Sequence, residues 1–237
     1  GWFNPHFING IVLTNKALNG GDITDYKAHF GESRATELEN KKNLEIIRSN
    51  KRTFKGKEPV SLTLLVKNVP ELLYKVFEID TETYYKRNKS EISDSLDLDG
   101  LIPEKSYKIS YPQKKHHQHL EVFTFDDITN KEKGVFIIEF VGGGVSSRAV
   151  IRKGTLELLV QEHFQGFRLY IIDEEKRICN GTRTGIIVDG KFHKANEKGY
   201  VLMPFGENYL STQAILTHEG FNSLADLNLT TENYSLN

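Results

Sequence analysis

Val135-Phe136-Ile137-Ile138-Glu139-Phe140-Val141, then Gly142-Gly143-Gly144, then Arg148-Ala149-Val150-Ile151-Arg152 is the stretch on which the fold turns. The first segment is β-branched and aromatic almost throughout, the composition of a strand buried on both faces. Three glycines tolerate the positive φ of a tight turn, so the third segment reads as the return strand of a hairpin. Working outward, period-two alternation recurs upstream in residues 60–66, 72–79 and 120–125. Downstream it recurs in residues 156–160, 167–172, 185–188, 191–193, 200–203 and 214–218, with Asp189-Gly190 as a second hairpin signal. Short alternating segments, with turn residues at intervals of about ten, predict a sandwich of antiparallel strands.

The first 53 residues depart from this pattern. Ile23, Tyr26 and Phe30 fall at helical spacing with Asp22 placed to cap them, and residues 34–50 are rich in Glu, Lys and Asn. This predicts a helical or irregular N-terminal segment. A division at Lys153-Gly154 then leaves two sandwich-sized parts. The expected organisation is mostly β: a segment over 1–53, a first antiparallel β-sandwich over 54–153 and a second over 154–237.

Composition removes several function classes. Thirty-one basic residues balance 32 acidic ones, which argues against nucleic-acid binding driven by net charge. No apolar run reaches 18 residues, so no membrane span is expected. The opening Gly1-Trp2-Phe3-Asn4-Pro5 lacks the charged and apolar regions of a signal peptide. The single Cys179 excludes an internal disulfide and a cysteine-rich zinc module. Arg177 beside it could lower the thiol pKa, but a small residue at a strand end is the plainer reading.

Several motifs imitate chemistry. Gly142-Gly143-Gly144 lacks the following helix and lysine of a phosphate loop. Ser95, Asp97, Asp99 and Gly100 imitate the start of a calcium loop, but its twelfth position falls on Ser106 in place of a glutamate. An acidic surface loop is the expectation, with Asp97 and Asp99 as weak metal candidates. His116, His117 and His119 form the one histidine cluster. On a strand His117 and His119 would share a face and offer two imidazoles to a metal. A third ligand is missing and Lys114 and Lys115 would repel a cation, so a solvated basic loop is expected. No Gly-x-Ser-x-Gly or His-Glu-x-x-His motif occurs, and no catalytic residue or cofactor is predicted. Sequons stand at Asn88, Asn180, Asn228 and Asn233, which tilts the expected setting towards extracellular or lumenal.

The order of segments carries a family resemblance. Arg52-Thr53-Phe54-Lys55-Gly56-Lys57-Glu58-Pro59-Val60-Ser61-Leu62 resembles the opening strand of a macroglobulin-like domain, of the alpha-2-macroglobulin and complement type. Leu73-Tyr74-Lys75-Val76-Phe77-Glu78-Ile79 and Lys133-Gly134-Val135-Phe136-Ile137-Ile138-Glu139-Phe140 are similar to further strands of that family. The family's Gly-Cys-Gly-Glu-Gln thioester stretch is absent. The resemblance implies a pair of non-enzymatic scaffold modules from a larger macroglobulin-like protein, with a protein or neighbouring domains as partner.

Two alternatives stand beside this. A glycan-binding or adhesion module would use exposed Tyr84, Tyr85, Tyr107, Tyr111 and Tyr209. A metal-dependent hydrolase would use His116, His117 and His119. Fold alone does not separate the three.

Overall fold

The computed structural model describes residues 4–205 and 210–229. Three helices come first: α1 (Pro5–Leu18), α2 (Thr24–Phe30) and α3 (Glu32–Asn40). Asn4 caps α1 by accepting from the His6 amide, and Pro5 sits where its missing N–H costs nothing. Ala17, Tyr26 and Ala35 make a small core, with Leu13, Ile23, Phe30 and Leu38 packed on it. The expected cap moves by one residue: Ile23 takes the N-cap of α2, and Asp22 accepts from the Thr24 amide.

The helical propensity of residues 34–50 is overridden in its second half. α3 stops at Asn40 and β1 (Asn43–Ile46) follows. Leu44 is buried in the first sandwich and Ile46 packs against the same core, a period-two pattern that a partner strand turns into a ladder. Lys67 is buried with its ammonium on the carbonyls of Leu38 and Lys41, which are otherwise open at the end of α3.

The first sandwich continues with β2 (Thr53–Phe54), β3 (Ser61–Lys67), β4 (Glu71–Glu78), α4 (Thr81–Asn88), β5 (Lys105–Ser110), β6 (Gln118–Thr124), α5 (Asp126–Thr129), β7 (Gly134–Gly142) and β8 (Val145–Lys153). One sheet has the order β1-β3-β6 and the other β2-β8-β7-β4-β5. The chain therefore changes sheets within a few residues: β1 pairs antiparallel with β3, and β2 pairs parallel with β8. The β7–β8 hairpin turns through Gly143 at φ 58° and Gly144 at φ 84°, as the glycine run predicts. Phe136, Ile138 and Phe140 of β7 point into a core in which the ring of Phe140 lies 5.0 Å from that of Phe123.

The helix α4 lies between the alternating segments 72–79 and 120–125, where no helix is expected. Asp80 caps it by accepting from the Thr83 amide at 3.1 Å, and Glu82 and Lys86 pair across one turn.

The second sandwich holds β9 (Leu156–His163), β10 (Gly166–Asp173), β11 (Thr184–Val188), β12 (Lys191–Lys194), β13 (Tyr200–Met203), β14 (Leu210–His218) and β15 (Phe221–Leu229). Its sheets run β13-β10-β9 and β12-β11-β14-β15. Asp189 at φ 48° and Gly190 at φ 78° form the predicted two-residue turn between β11 and β12.

The outer face of β7 explains its unbroken apolar run. Val135 and Ile137 share a cluster with Phe77 and Tyr85 of the first sandwich and with Ile187 and Ile215 of the second. Asn222 accepts from Thr217 and donates to Thr81, all three buried at this junction. The Glu174 carboxylate accepts from the amides of Gly56 and Thr155, one on each side.

Candidate interaction surface

The switch of sheets between β1 and β2 leaves one strand edge open. β7 covers β8 along its whole length, whereas β2 covers only Arg152 and Lys153. Arg152 donates its amide to Arg52 at 2.8 Å, and Gly154 donates to Phe54 at 2.9 Å. The strand period of two sends the amides of Val150 and Arg148 the same way, where no strand of the described residues pairs with them. The segment 45–53 forms one wall beside this edge and residues 91–94 the other, enclosing a groove of about 460 Å³. Its lining combines apolar Ile46, Leu62, Ala149 and Ile151 with the cations Arg48, Arg52, Arg148 and Arg152 and the acids Glu45, Glu91 and Asp94.

Two of these arginines are held firmly. Arg148 donates through Nε and Nη2 to Glu139 at 2.9 and 2.6 Å and through Nη1 to the Leu96 carbonyl. Arg152 donates through Nη2 to the Tyr85 hydroxyl at 2.8 Å and to the Glu91 carboxylate. Burial raises the Tyr85 hydroxyl to about 12, so it stays protonated and donates to Glu91. The Arg152 Nη1 is buried with no partner. An unpaired guanidinium nitrogen thus lies beside a vacant strand edge.

The histidine cluster is more buried than a solvated loop allows. His116 is buried, its Nε2 on the Gly21 carbonyl at 3.0 Å, so it anchors the helical segment to the β5–β6 connection. His117 and His119 do come together, with rings 5.4 Å apart, and His119 lies edge-on to Tyr111. Both His119 nitrogens are buried without a partner, and burial, followed by His117, lowers its pKa. Among the described residues no three His, Cys, Asp or Glu side chains converge as a metal would need.

Asp97 and Asp99 are exposed, and Asp97 is spent on the Asp99 amide in a local turn. Asn88, Asn180 and Asn228 are exposed, and Asn233 lies outside the described residues. The side-chain amides of Asn88 and Asn180 donate to the carbonyls of Tyr84 and Glu197, and Asn228 accepts from the Ser211 hydroxyl. The tyrosines do not make a shared face: Tyr85 is buried, Tyr84 and Tyr111 are half-buried, Tyr107 is exposed and stacked on Tyr74, and Tyr209 lies outside the described residues. Cys179 is buried and its thiol is pushed up by that burial, while Arg177 turns to Asp173 and Glu175. The groove itself escaped the sequence, since alternation marks a strand and does not say which edge of it lacks a neighbour.

Two sheets of antiparallel strands face to face, with the short β2 pairing in parallel with β8, define an immunoglobulin-like β-sandwich. Residues 72–154 match the family described as the AbpF first immunoglobulin-like domain. The chain is 29% identical over 243 residues to Actin-binding protein F of Dictyostelium discoideum. That match covers 99% of the chain, which spans 10% of the length of that relative. Among solved structures, a segment of Escherichia coli alpha-2-macroglobulin spanning domains MG0-NIE-MG1 is similar at 13% identity, with a TM-score of 0.49 over 78% of this chain and 64% of that one. Its NIE-MG1 segment is similar at 13% identity, with a TM-score of 0.47 over 79% and 97%.

Proposed function

We propose that this chain is a non-enzymatic protein-interaction and spacer unit within a larger actin-associated protein. The observation that carries it is the 29% identity to Actin-binding protein F, which extends over 99% of the chain and so takes in the helices and both sandwiches. The division between the two sandwich domains falls at Lys153-Gly154, with β1 belonging to the first. The parent protein joins such modules in series, as a macroglobulin-like protein does, and the junction cluster makes this pair a stiff strut. Co-sedimentation with actin filaments tests the partner. Saturable binding of the purified chain, weakened by salt no more than a mixed-charge surface requires, is the expected result. Pelleting no greater than that of an unrelated sandwich domain would remove actin as the direct partner.

A further inference from the structure

We propose that the groove beside β8 accepts an extended peptide segment of a partner protein, which adds as a strand to the β8 edge and places a carboxylate on Arg152. The inference rests on the reading of the chain as a protein-interaction unit and names how that interaction is made.

Three observations carry it. The amides of Arg148 and Val150 face an edge that β2 leaves uncovered, so a partner strand completes a ladder that already exists at Arg152 and Gly154. The edge is recessed between the walls at residues 45–53 and 91–94, which excludes the flat pairing of two exposed edges and suits a single inserted strand. The Arg152 Nη1 is buried without a partner, while its Nη2 is fixed by Tyr85 and Glu91 and cannot turn away. An acceptor brought by the ligand satisfies that nitrogen, and a carboxylate does so with a charge-assisted bond. Arg48 and Arg52 on one wall are set against Glu45 and Asp94, so the call for a carboxylate rests on the Arg152 Nη1 itself. Ile46, Leu62 and Ala149 call for small apolar side chains on the face of the strand that enters the sandwich.

The test uses the full chain and a capped hexapeptide that alternates valine and threonine around one glutamate, with a counterpart carrying lysine in its place. Amide hydrogen exchange and chemical shifts are followed residue by residue. The glutamate peptide is expected to protect the amides of Arg148 and Val150, and the lysine peptide to bind about tenfold more weakly or less. Arg152→Lys keeps the charge but loses the planar fork, and is expected to cut the preference for glutamate about tenfold. Val150→Pro removes the central edge donor without touching the β7 ladder and is expected to abolish the protection.

Protection that appears on β6 or β9 instead, equal binding of both peptides, or protection of the β8 edge by self-association with no peptide present would overturn the proposal. A chain that shows the protection but does not co-sediment with filaments keeps the groove and loses the actin partner. A chain that co-sediments but shows no protection keeps the partner and loses the groove.

Discussion

His119 holds a ring with both nitrogens buried and unpartnered, wedged between Tyr111 and His117, with Glu121 4.0 Å away as the one nearby acid. In the unfolded chain it titrates near its ordinary value of about 6.5; burial and the positive potential of His117 hold it lower in the folded state. The folded chain thus binds fewer protons than the unfolded one in this range. The stability present above pH 6.5 is lost as pH falls through the folded value. The urea midpoint is expected to be flat from pH 8 to pH 7 and to fall below about 6.5. His119→Gln is expected to flatten part of that fall, leaving the share due to His163 and His218, which are also held low. A variant with an unaltered pH profile would show that the ring ionises without cost. The spacing of His117 and His119 on one strand face was legible. The burial of His116 was not, because it depends on Gly21 in a helical segment 95 residues away.

At the scale of the element, β7 carries the first sandwich. Its Phe140 is fully buried and meets Phe123, Phe125 and Tyr74 in one aromatic cluster. Phe140→Ala removes that ring from a closely packed site and is expected to cost about 3–5 kcal/mol, read as a drop in urea midpoint with little change of slope. A smaller test falls on α4. Asp80→Ala deletes the cap and is expected to cost about 1 kcal/mol, with the loss concentrated in exchange of the α4 amides. These two elements also mark how far the sequence reaches. β7, β8 and both hairpins were legible because each declares itself within a dozen residues, by alternation and by glycine at positive φ. β1 falls in the segment expected to be helical or irregular, because its Glu- and Lys-rich surroundings outweigh one buried and one half-buried apolar residue until pairing with β3 is seen. α4 shows no apolar periodicity, and only the Asp80 cap and the Glu82–Lys86 pair announce it.

The whole molecule depends on whether its two sandwiches act as one body. Their shared cluster sets Tyr85, Val135 and Ile137 against Ile187 and Ile215, which face each other across the β11–β14 ladder. Around it the Asn222–Thr81 bond and the Glu174 contacts to Gly56 and Thr155 fix the relative position of the halves. Apolar burial between domains couples their unfolding, since either half unfolding alone would expose the other's share of the cluster. The wild-type chain is therefore expected to unfold in a single thermal transition, with near- and far-ultraviolet signals coincident. Ile215→Asp places a carboxylate in this apolar cluster, with Lys86 and Lys89 at the rim of the same cavity, at a cost on the order of 3 kcal/mol. Both halves keep their own cores, which are separate clusters built around Phe140 and Leu169. The variant is expected to show two resolved transitions, with scattering from the folded state reporting a longer and more variable particle. Two transitions already present in the wild type would mean that the cluster fills space between the halves without binding them, and the chain would then be a flexible pair.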